Sequence, residues 1–362
     1  MNKCYVTYNS LITPLGNSPA ENLLSLKKGI SGIQMFDGQG FAGESLPLAK
    51  IASLRENERF SSLLTSACEA LRGQADAKML SSSKTLLILS TTKADLSVFP
   101  GDTFQSAENI LAEKLKLAHS PLIISNACIS GVVAINTAAD YIHASLYDQV
   151  IVLGIDVLSP FITYGFQSLF ALSDEAARPF DKQRKGISLG EACGCVIVSR
   201  TRPETAGYTV MHLGGSSSND ANHISGPSRT GEGLVRSVRR TLERTAIPRS
   251  EIDFVSAHGT GTLFNDEMES IAFQRLEMDH IALNSFKGTV GHTLGAAGII
   301  ETIFSMFSME ENLLFQSQGF AETGTSCPLN IITENRSFEV NTVLKTASGF
   351  GGGNASLILQ KI

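Results

Sequence analysis

The chain has 362 residues, 43% of them hydrophobic and 18% charged, so it holds ample material for a buried core and does not read as a disordered or fibrous protein. A formal net charge of −6 gives no basis for nucleic-acid binding, and no apolar run is long enough to span a membrane. The amino terminus lacks an apolar secretory core, and six cysteines without a CxxC pair suit neither a disulfide framework nor a zinc site, so a reducing, cytoplasmic setting is expected.

In chain order, residues 5–11 read as a strand, Thr13-Pro14-Leu15-Gly16-Asn17 as a turn, and Ser18-Pro19 as the start of a helix. The glycine-rich residues 35–50 read as a loop, 60–71 as a helix, 85–90 as a buried strand and 104–117 as an amphipathic helix. Leu122-Ile123-Ile124 is a short apolar strand that stops at Ser125-Asn126-Ala127-Cys128. Small residues follow (Ser130, Gly131, Ala134), and apolar residues recur at helical spacing through Ile142. Cys128 therefore sits where a strand turns into a helix. Unpaired N–H groups and the positive end of the helix dipole are expected there to lower the thiol pKa and to steady an oxyanion. The same stretch by itself also fits a buried structural cysteine. Cys4, Cys68, Cys193, Cys195 and Cys327 read as core or surface residues. Strands at 150–154 and 193–199 close a first half near residue 202.

The second half opens with a strand at 208–213 and a helix at 233–245. A strand at 252–256 runs into Ala257-His258-Gly259-Thr260-Gly261-Thr262. In α/β sheets ligands gather at the carboxyl ends of strands, which suits His258 to act on a substrate and Thr260 and Thr262 to hold a polar arm. Asp266 and Glu269, one helical turn apart, cap the next helix (268–276) or hold this loop. After a strand at 281–284 the pattern recurs, with Lys287 and His292 five residues apart in a glycine-rich loop and Glu301 on the following helix, 295–309. Strands at 341–347 and 355–360 flank Ser348-Gly349-Phe350-Gly351-Gly352-Gly353-Asn354, a suitable gate or oxyanion donor loop. Taken singly, these segments also read as a glycine turn with a capping histidine, a surface ion pair and a hairpin. Alternating strands and helices argue an α/β fold with mainly parallel sheets. Each half holds a strand, a polar turn and a helix rich in small residues, the mark of a duplication into residues 1–202 and 203–362.

One cysteine at a helix start, two histidines after strand ends, a lysine near the second histidine and a closing Gly-Phe-Gly-Gly run occur in that order. Together they resemble the β-ketoacyl-acyl carrier protein synthases, the decarboxylating elongation type with a Cys-His-His site. The opening strand with Thr13-Pro14-Leu15-Gly16-Asn17, then Arg178-Pro179-Phe180-Asp181-Lys182 with Gly186, Gly190-Glu191 and Gly194, and then Asn219-Asp220-Ala221-Asn222-His223 with Gly226-Pro227 extend the likeness over nearly the whole chain. The resemblance implies the thiolase-like fold, two similar halves forming five layers, α-β-α-β-α, usually in a homodimer. It implies that Cys128 carries the acyl chain as a thioester and that His258 and His292 promote decarboxylation of malonyl-carrier protein. It further implies an oxyanion hole from the Cys128 and Phe350 N–H groups, Lys287 ordering the site with Glu301, threonines 260 and 262 on the pantetheine arm, and Phe350 as a gate. No metal or other cofactor is implied, the substrates being carried on phosphopantetheine of acyl carrier protein. That acidic partner is expected to dock on Arg55 and Arg59 or on the Lys182-Arg184-Lys185 cluster.

Some positions depart from the family pattern. Thr91-Thr92-Lys93-Ala94-Asp95 replaces a glycine-rich turn, Ser348 a second phenylalanine, and Leu263 a frequent proline. The short length resembles synthases of aryl-polyene and flexirubin pigment clusters. A thiolase needs a second cysteine near the end, and the initiating synthases use Cys-His-Asn; neither pattern is present. A non-catalytic or partner-dependent chain-length-factor subunit, in a heterodimer with a second synthase-like chain, is the alternative.

Overall fold

The computed structural model describes residues 3–74, 76–204, 209–220 and 226–362. Ten strands carry the fold. The first half contributes β1 (Tyr5–Ile12), β2 (Thr85–Ser90), β3 (Leu122–Ile124), β4 (Gln149–Asp156) and β5 (Ala192–Ser199). The second contributes β6 (Val210–Asn219), β7 (Phe254–Ser256), β8 (Ala282–Asn284), β9 (Thr342–Gly349) and β10 (Gly353–Lys361). The sheet order is β8-β7-β9-β10-β6-β1-β5-β4-β2-β3. Counted outward from the centre, each half runs first, fifth, fourth, second, third strand, so the duplication is written in the topology. The halves join where Tyr5 and Val6 of β1 pair antiparallel with Met211 and Val210 of β6.

The expected mainly parallel sheet is corrected to a mixed one. β2 pairs in parallel with β3 and β4, and β7 with β8 and β9, while every pair involving β1, β5, β6 or β10 is antiparallel.

Side chains alternate between two cores. In β2, Leu86 and Ile88 enter the central core, whereas Leu87 and Leu89 enter an outer one shared with helices α1 (Arg59–Gln74) and α2 (Thr103–Leu115). In β9 and β10, Val343, Leu357 and Leu359 face the centre, while Leu344 and Ile358 face α4 (Glu232–Thr245) and α5 (Leu263–Arg275). The centre is filled by α3 (Ser130–His143) and α6 (Ala297–Glu311), which touch each other and both half-sheets. Every residue of α6 from Ala297 to Met309 is buried, the polar Glu301, Thr302, Ser305 and Ser308 included. The layers are thus α1/α2, half-sheet, α3/α6, half-sheet, α4/α5.

The central helices cross at glycine on glycine. A Cβ on Gly131 would stand 2.8 Å from Ile299 N, and one on Gly298 2.5 Å from Val132 N. Only hydrogen at both positions lets the backbones meet this closely.

Two elements were hidden in the sequence. Residues 35–50 are not simply a loop, because Gln34–Phe36 and Leu46–Ala49 pair antiparallel and the latter pairs with Leu189–Gly190. Pro160–Ser168 is a helix started by Ser159 and Pro160. β3, for all its apolar side chains, is a half-buried edge strand. Of the expected strand 208–213, Tyr208 lies outside the described residues, as do Ala221, Asn222 and His223 of the resemblance segment.

Candidate active site

The duplication brings two equivalent turns together. In the first half, β3 leads through Asn126 and Ala127 to Cys128 and α3. In the second, β8 leads through Lys287 and His292 to α6. Each turn has a non-glycine residue in the left-handed region, Ala127 at φ 45° and Leu294 at φ 53°, a strain of about 1–3 kcal/mol held by its surroundings. The Ser130 hydroxyl ties the first turn, accepting from Asn126 N at 2.7 Å and donating to Ala127 O at 2.6 Å.

Cys128, His258 and His292 converge. Their Sγ and ring-nitrogen atoms lie within 4.8 Å of one another, and the two imidazoles meet edge to face with centroids 5.2 Å apart. Leu294 N–H donates to His292 Nδ1 at 3.3 Å, so that nitrogen is bare and Nε2 carries the proton. His292 Nε2 and His258 Nδ1 are buried without a hydrogen-bond partner. Burial first, then the nearby Lys287 and Lys345 charges, hold both imidazoles well below their ordinary pKa, so both are neutral.

The expected acidic thiol is corrected. Burial raises the Cys128 pKa to about 11 against the lowering effects of Lys287 and the Phe350 N–H, with Asp156 and Glu301 adding to the rise. The helix end does less than expected because Ile129 and Ser130 N–H are already taken by Asn126 O and Ala127 O. The sulfur is a thiol beside two neutral bases. The Phe350 N–H lies near enough to Cys128 Sγ to favour its charged form, and Gly349 comes so close that a Cβ there would lie 3.1 Å from Cys128 N.

His258 is held from its backbone. Glu269 accepts from His258 N at 2.8 Å and Gly259 N at 2.6 Å, while Asp266 accepts from Thr260 N at 2.9 Å and Phe180 N at 2.7 Å. These acids hold the loop, whereas Thr262 caps α5 through Asn265 N. Burial, then Asp266 beside it, push the Glu269 carboxyl up to about 7. Thr260 Oγ1 and Thr262 Oγ1 are 2.8 Å apart and line the same cavity as the triad.

Lys287 Nζ donates to His258 O at 2.6 Å and to Glu301 Oε1 at 2.6 Å, fully buried and not the surface ion pair that was the alternative. The opposite oxygen of Glu301 meets Lys345 Nζ at 2.6 Å. Lys345 was missed in the sequence, although a lysine inside the apolar run Thr342–Gly349 was a signal. Asp156 was also missed. It accepts from Gly295 N at 2.7 Å, Thr92 N at 3.0 Å and Lys93 Nζ at 2.8 Å, so the departure at Thr91–Lys93 is a buried brace under the His292 turn.

A cavity of about 460 Å³ runs from an exposed rim at Phe170, Leu263 and Phe264 to Cys128, His258 and His292. Phe350 stacks on Phe166 at 5.4 Å along its wall; Phe166 belongs to the helix missed in the sequence. The triad is the one grouping of three potential metal ligands found among the described residues. Two lysine charges beside it favour an anion there over a cation.

The docking candidates divide. Arg59 is buried and doubly bonded to Glu191, and Arg184 is buried against the Asp181 and Gly324 carbonyls, so neither can meet a partner. Arg55, Lys182 and Lys185 are exposed, and Lys185 lines the cavity mouth.

Comparisons with known proteins agree with this geometry. The family model described as beta-ketoacyl synthase, N-terminal domain, matches residues 56–204, and beta-ketoacyl synthase, C-terminal domain, matches residues 208–321. The chain is 27% identical over 405 residues to 3-oxoacyl-[acyl-carrier-protein] synthase 2 of Coxiella burnetii, covering 99% of this chain and 98% of that protein. To the synthase 2 of Rhizobium meliloti it is 32% identical over 279 residues, covering 72% of this chain and 66% of that one. A chain of the ketosynthase ApeO complex with its chain length factor ApeC, from Xenorhabdus doucetiae, superposes with a TM-score of 0.90 at 26% identity, covering 99% and 98% of the two chains.

Proposed function

The chain belongs to the β-ketoacyl synthase family, and on that premise we propose that it is a 3-oxoacyl-acyl carrier protein synthase whose nucleophile is Cys128 and whose decarboxylating pair is His258 and His292. The observation that carries this is the sulfur and two neutral imidazoles within 4.8 Å at the floor of one cavity.

In the first step the Cys128 thiol gives its proton to a neutral imidazole and attacks the thioester carbonyl of acyl-carrier protein. A new sulfur–carbonyl bond forms, and the pantetheine thiol leaves with a proton. The tetrahedral oxyanion is met by the N–H of Phe350, which lies near Sγ, and by the N–H of Cys128. Malonyl-carrier protein then enters along Thr260 and Thr262. The Nε2–H of His292 and a ring nitrogen of His258 hydrogen-bond its thioester carbonyl, and loss of CO2 leaves the electron pair as an enolate. That carbanion attacks the acyl group, and collapse of the adduct expels the Cys128 sulfur, which regains a proton. Lys287 anchors this arrangement through Glu301 and the His258 carbonyl, and Glu269 and Asp266 hold the backbone from the other side. Phe350, stacked on Phe166, gates the cavity. The repeated strand order supports dividing the chain into residues 1–202 and 203–362.

No helix among the described residues is long and apolar enough to cross a membrane. The setting proposed is the cytoplasm, with acyl carrier protein approaching the mouth beside Lys182 and Lys185. The half-buried edge of β3 suits strand pairing with a second chain, identical or a chain-length-factor-like subunit. The likeness to a chain of a ketosynthase–chain length factor complex also favours the reading that the chain works only beside such a partner.

The test is intact-protein mass spectrometry after mixing with a panel of acyl-carrier proteins. Wild type should gain one acyl mass, Cys128→Ala none, and only wild type should form 3-oxoacyl product. Condensation by Cys128→Ala at the wild-type rate would refute the assignment. Acylation without condensation until a second synthase-like chain is added would favour the partner-dependent reading.

A further inference from the structure

Lys345 is fully buried in the middle of β9, where a side chain of this strand is otherwise apolar or small. Its ammonium meets Glu301 Oε2 at 2.6 Å and donates to Thr346 O at 2.6 Å, Ser256 O at 3.2 Å and Ala257 O at 3.3 Å. Lys287, on the other oxygen of Glu301, donates to the next carbonyl, His258 O, at 2.6 Å. Three consecutive carbonyls leading through His258 are thus gripped by two lysines that one glutamate ties together.

Resting on the condensing-enzyme reading above, we propose that Lys345 is a positioning residue of this site. With Lys287 and Glu301 it forms a buried clamp that fixes the backbone at His258 and leaves one uncompensated positive charge beside the two imidazoles. Two lysines and one glutamate leave a net charge of plus one in the clamp. A lone buried charge is tolerated only where neighbouring dipoles and charges meet it, and four carbonyls do so here.

Among the described residues, other ionisable groups facing this site are Cys128 ahead of α3, Asp156 at the end of β4, Asp266 and Glu269 on α5, and Lys185 and Asp220, which line the same cavity. Asp156 is braced by Lys93 at 2.8 Å. Burial pushes Glu269 up to about 7, so its opposing charge fades below neutrality. The clamp's excess charge therefore acts on His258 and His292 in the range where a histidine would ordinarily pick up a proton. Protonating His292 would also break its bond from Leu294 N–H. An imidazole kept neutral can accept the Cys128 proton, and one whose backbone cannot shift keeps its aim at the thioester. Lys345 serves both needs without touching substrate.

The test uses the full chain labelled with 13C-histidine, the His258 and His292 signals being assigned by His258→Gln and His292→Gln. In wild type neither signal should titrate between pH 8 and 5.5. In Lys345→Met the net charge of the clamp falls to zero, and the His258 titration, followed below pH 5.5 as far as the fold persists in both proteins, should move up by about one pH unit relative to wild type. Adding Glu301→Gln restores a net charge of plus one, and the titration should retreat again while decarboxylation of malonyl-carrier protein stays about tenfold slow because the carbonyl grip is lost. A Lys345→Met spectrum whose titrations match wild type overturns the proposal, as does a double variant that decarboxylates at the wild-type rate. Should Lys345→Met fail to fold, as read from its melting curve, the double variant carries the test by itself: His258 silent and decarboxylation slow, or the proposal falls. A wild-type protein that neither condenses nor decarboxylates would refute the functional reading alone, since the histidine titrations decide on Lys345 without substrate.

Discussion

Gly298→Ala probes whether the meeting of the two central helices sets the distance between sulfur and imidazole. The added methyl would lie 2.5 Å from Val132 N, 2.9 Å from Gly131 C and 3.0 Å from Gly131 Cα. Carbon contacts prefer about 3.5–4.0 Å, so the overlap is about 1 Å, and all three neighbours are backbone. No side chain can rotate away; α3 and α6 must part. Such overpacking costs about 1–3 kcal/mol, of which the better helix propensity of alanine returns up to about 1 kcal/mol. Net destabilisation is therefore small, and activity is the sharper readout. Cys128 leads into α3 and His292 into α6, so a shift of about 1 Å between the helices should lower kcat about a hundredfold. The assay is condensation rate together with urea unfolding, with Gly73→Ala as the control. Gly73 is also helical but has nothing within 4 Å of its would-be Cβ, so alanine there should add about 0.5–1 kcal/mol and leave kcat unchanged. A Gly298→Ala protein as active as wild type would show that the crossing does not set the site.

Two further outcomes follow from burial. With the Cys128 thiol raised to about 11, labelling by iodoacetamide should climb about tenfold per pH unit from pH 7 to 10 without levelling, because only the thiolate reacts; a plateau near pH 8, read by intact mass, would restore the acidic thiol that the helix end suggested. Arg59→Ala leaves Glu191 buried without its charge partner, so unfolding free energy should fall by about 3–5 kcal/mol, whereas exposed Arg55→Ala should change it by less than about 0.5 kcal/mol; equal effects of the two would refute the buried pair.

Local pattern reached far along this chain because its strands are short, apolar and bounded by turn residues. Thr85–Ser90 and Leu122–Ile124 occupy the residues that the sequence indicates, and Cys128, His258, His292, Lys287 and Glu301 meet as the motif order implies. What failed depended on partners distant in sequence. Arg59 reads as a surface charge until Glu191 closes over it. Lys345 draws no reading of its own, because Glu301, the residue that pairs with it, lies on another element. The Leu46–Ala49 strand hides in a glycine-rich stretch because its pairing partner is Leu189–Gly190. The thiol was misjudged because a helix dipole is local whereas burial is decided by the whole fold. Strand direction escaped for a like reason, since alternation with helices does not reveal which strands return as hairpins.

The mirrored strand order also constrains how such a chain can drift. One repeat brings the sulfur and its sibling brings both imidazoles, so a substitution that tilts one repeat changes the spacing between them unless the sibling adjusts. A chimera assembled from the repeats of two distant cousins would inherit every fold element and still misplace the sulfur against the imidazoles.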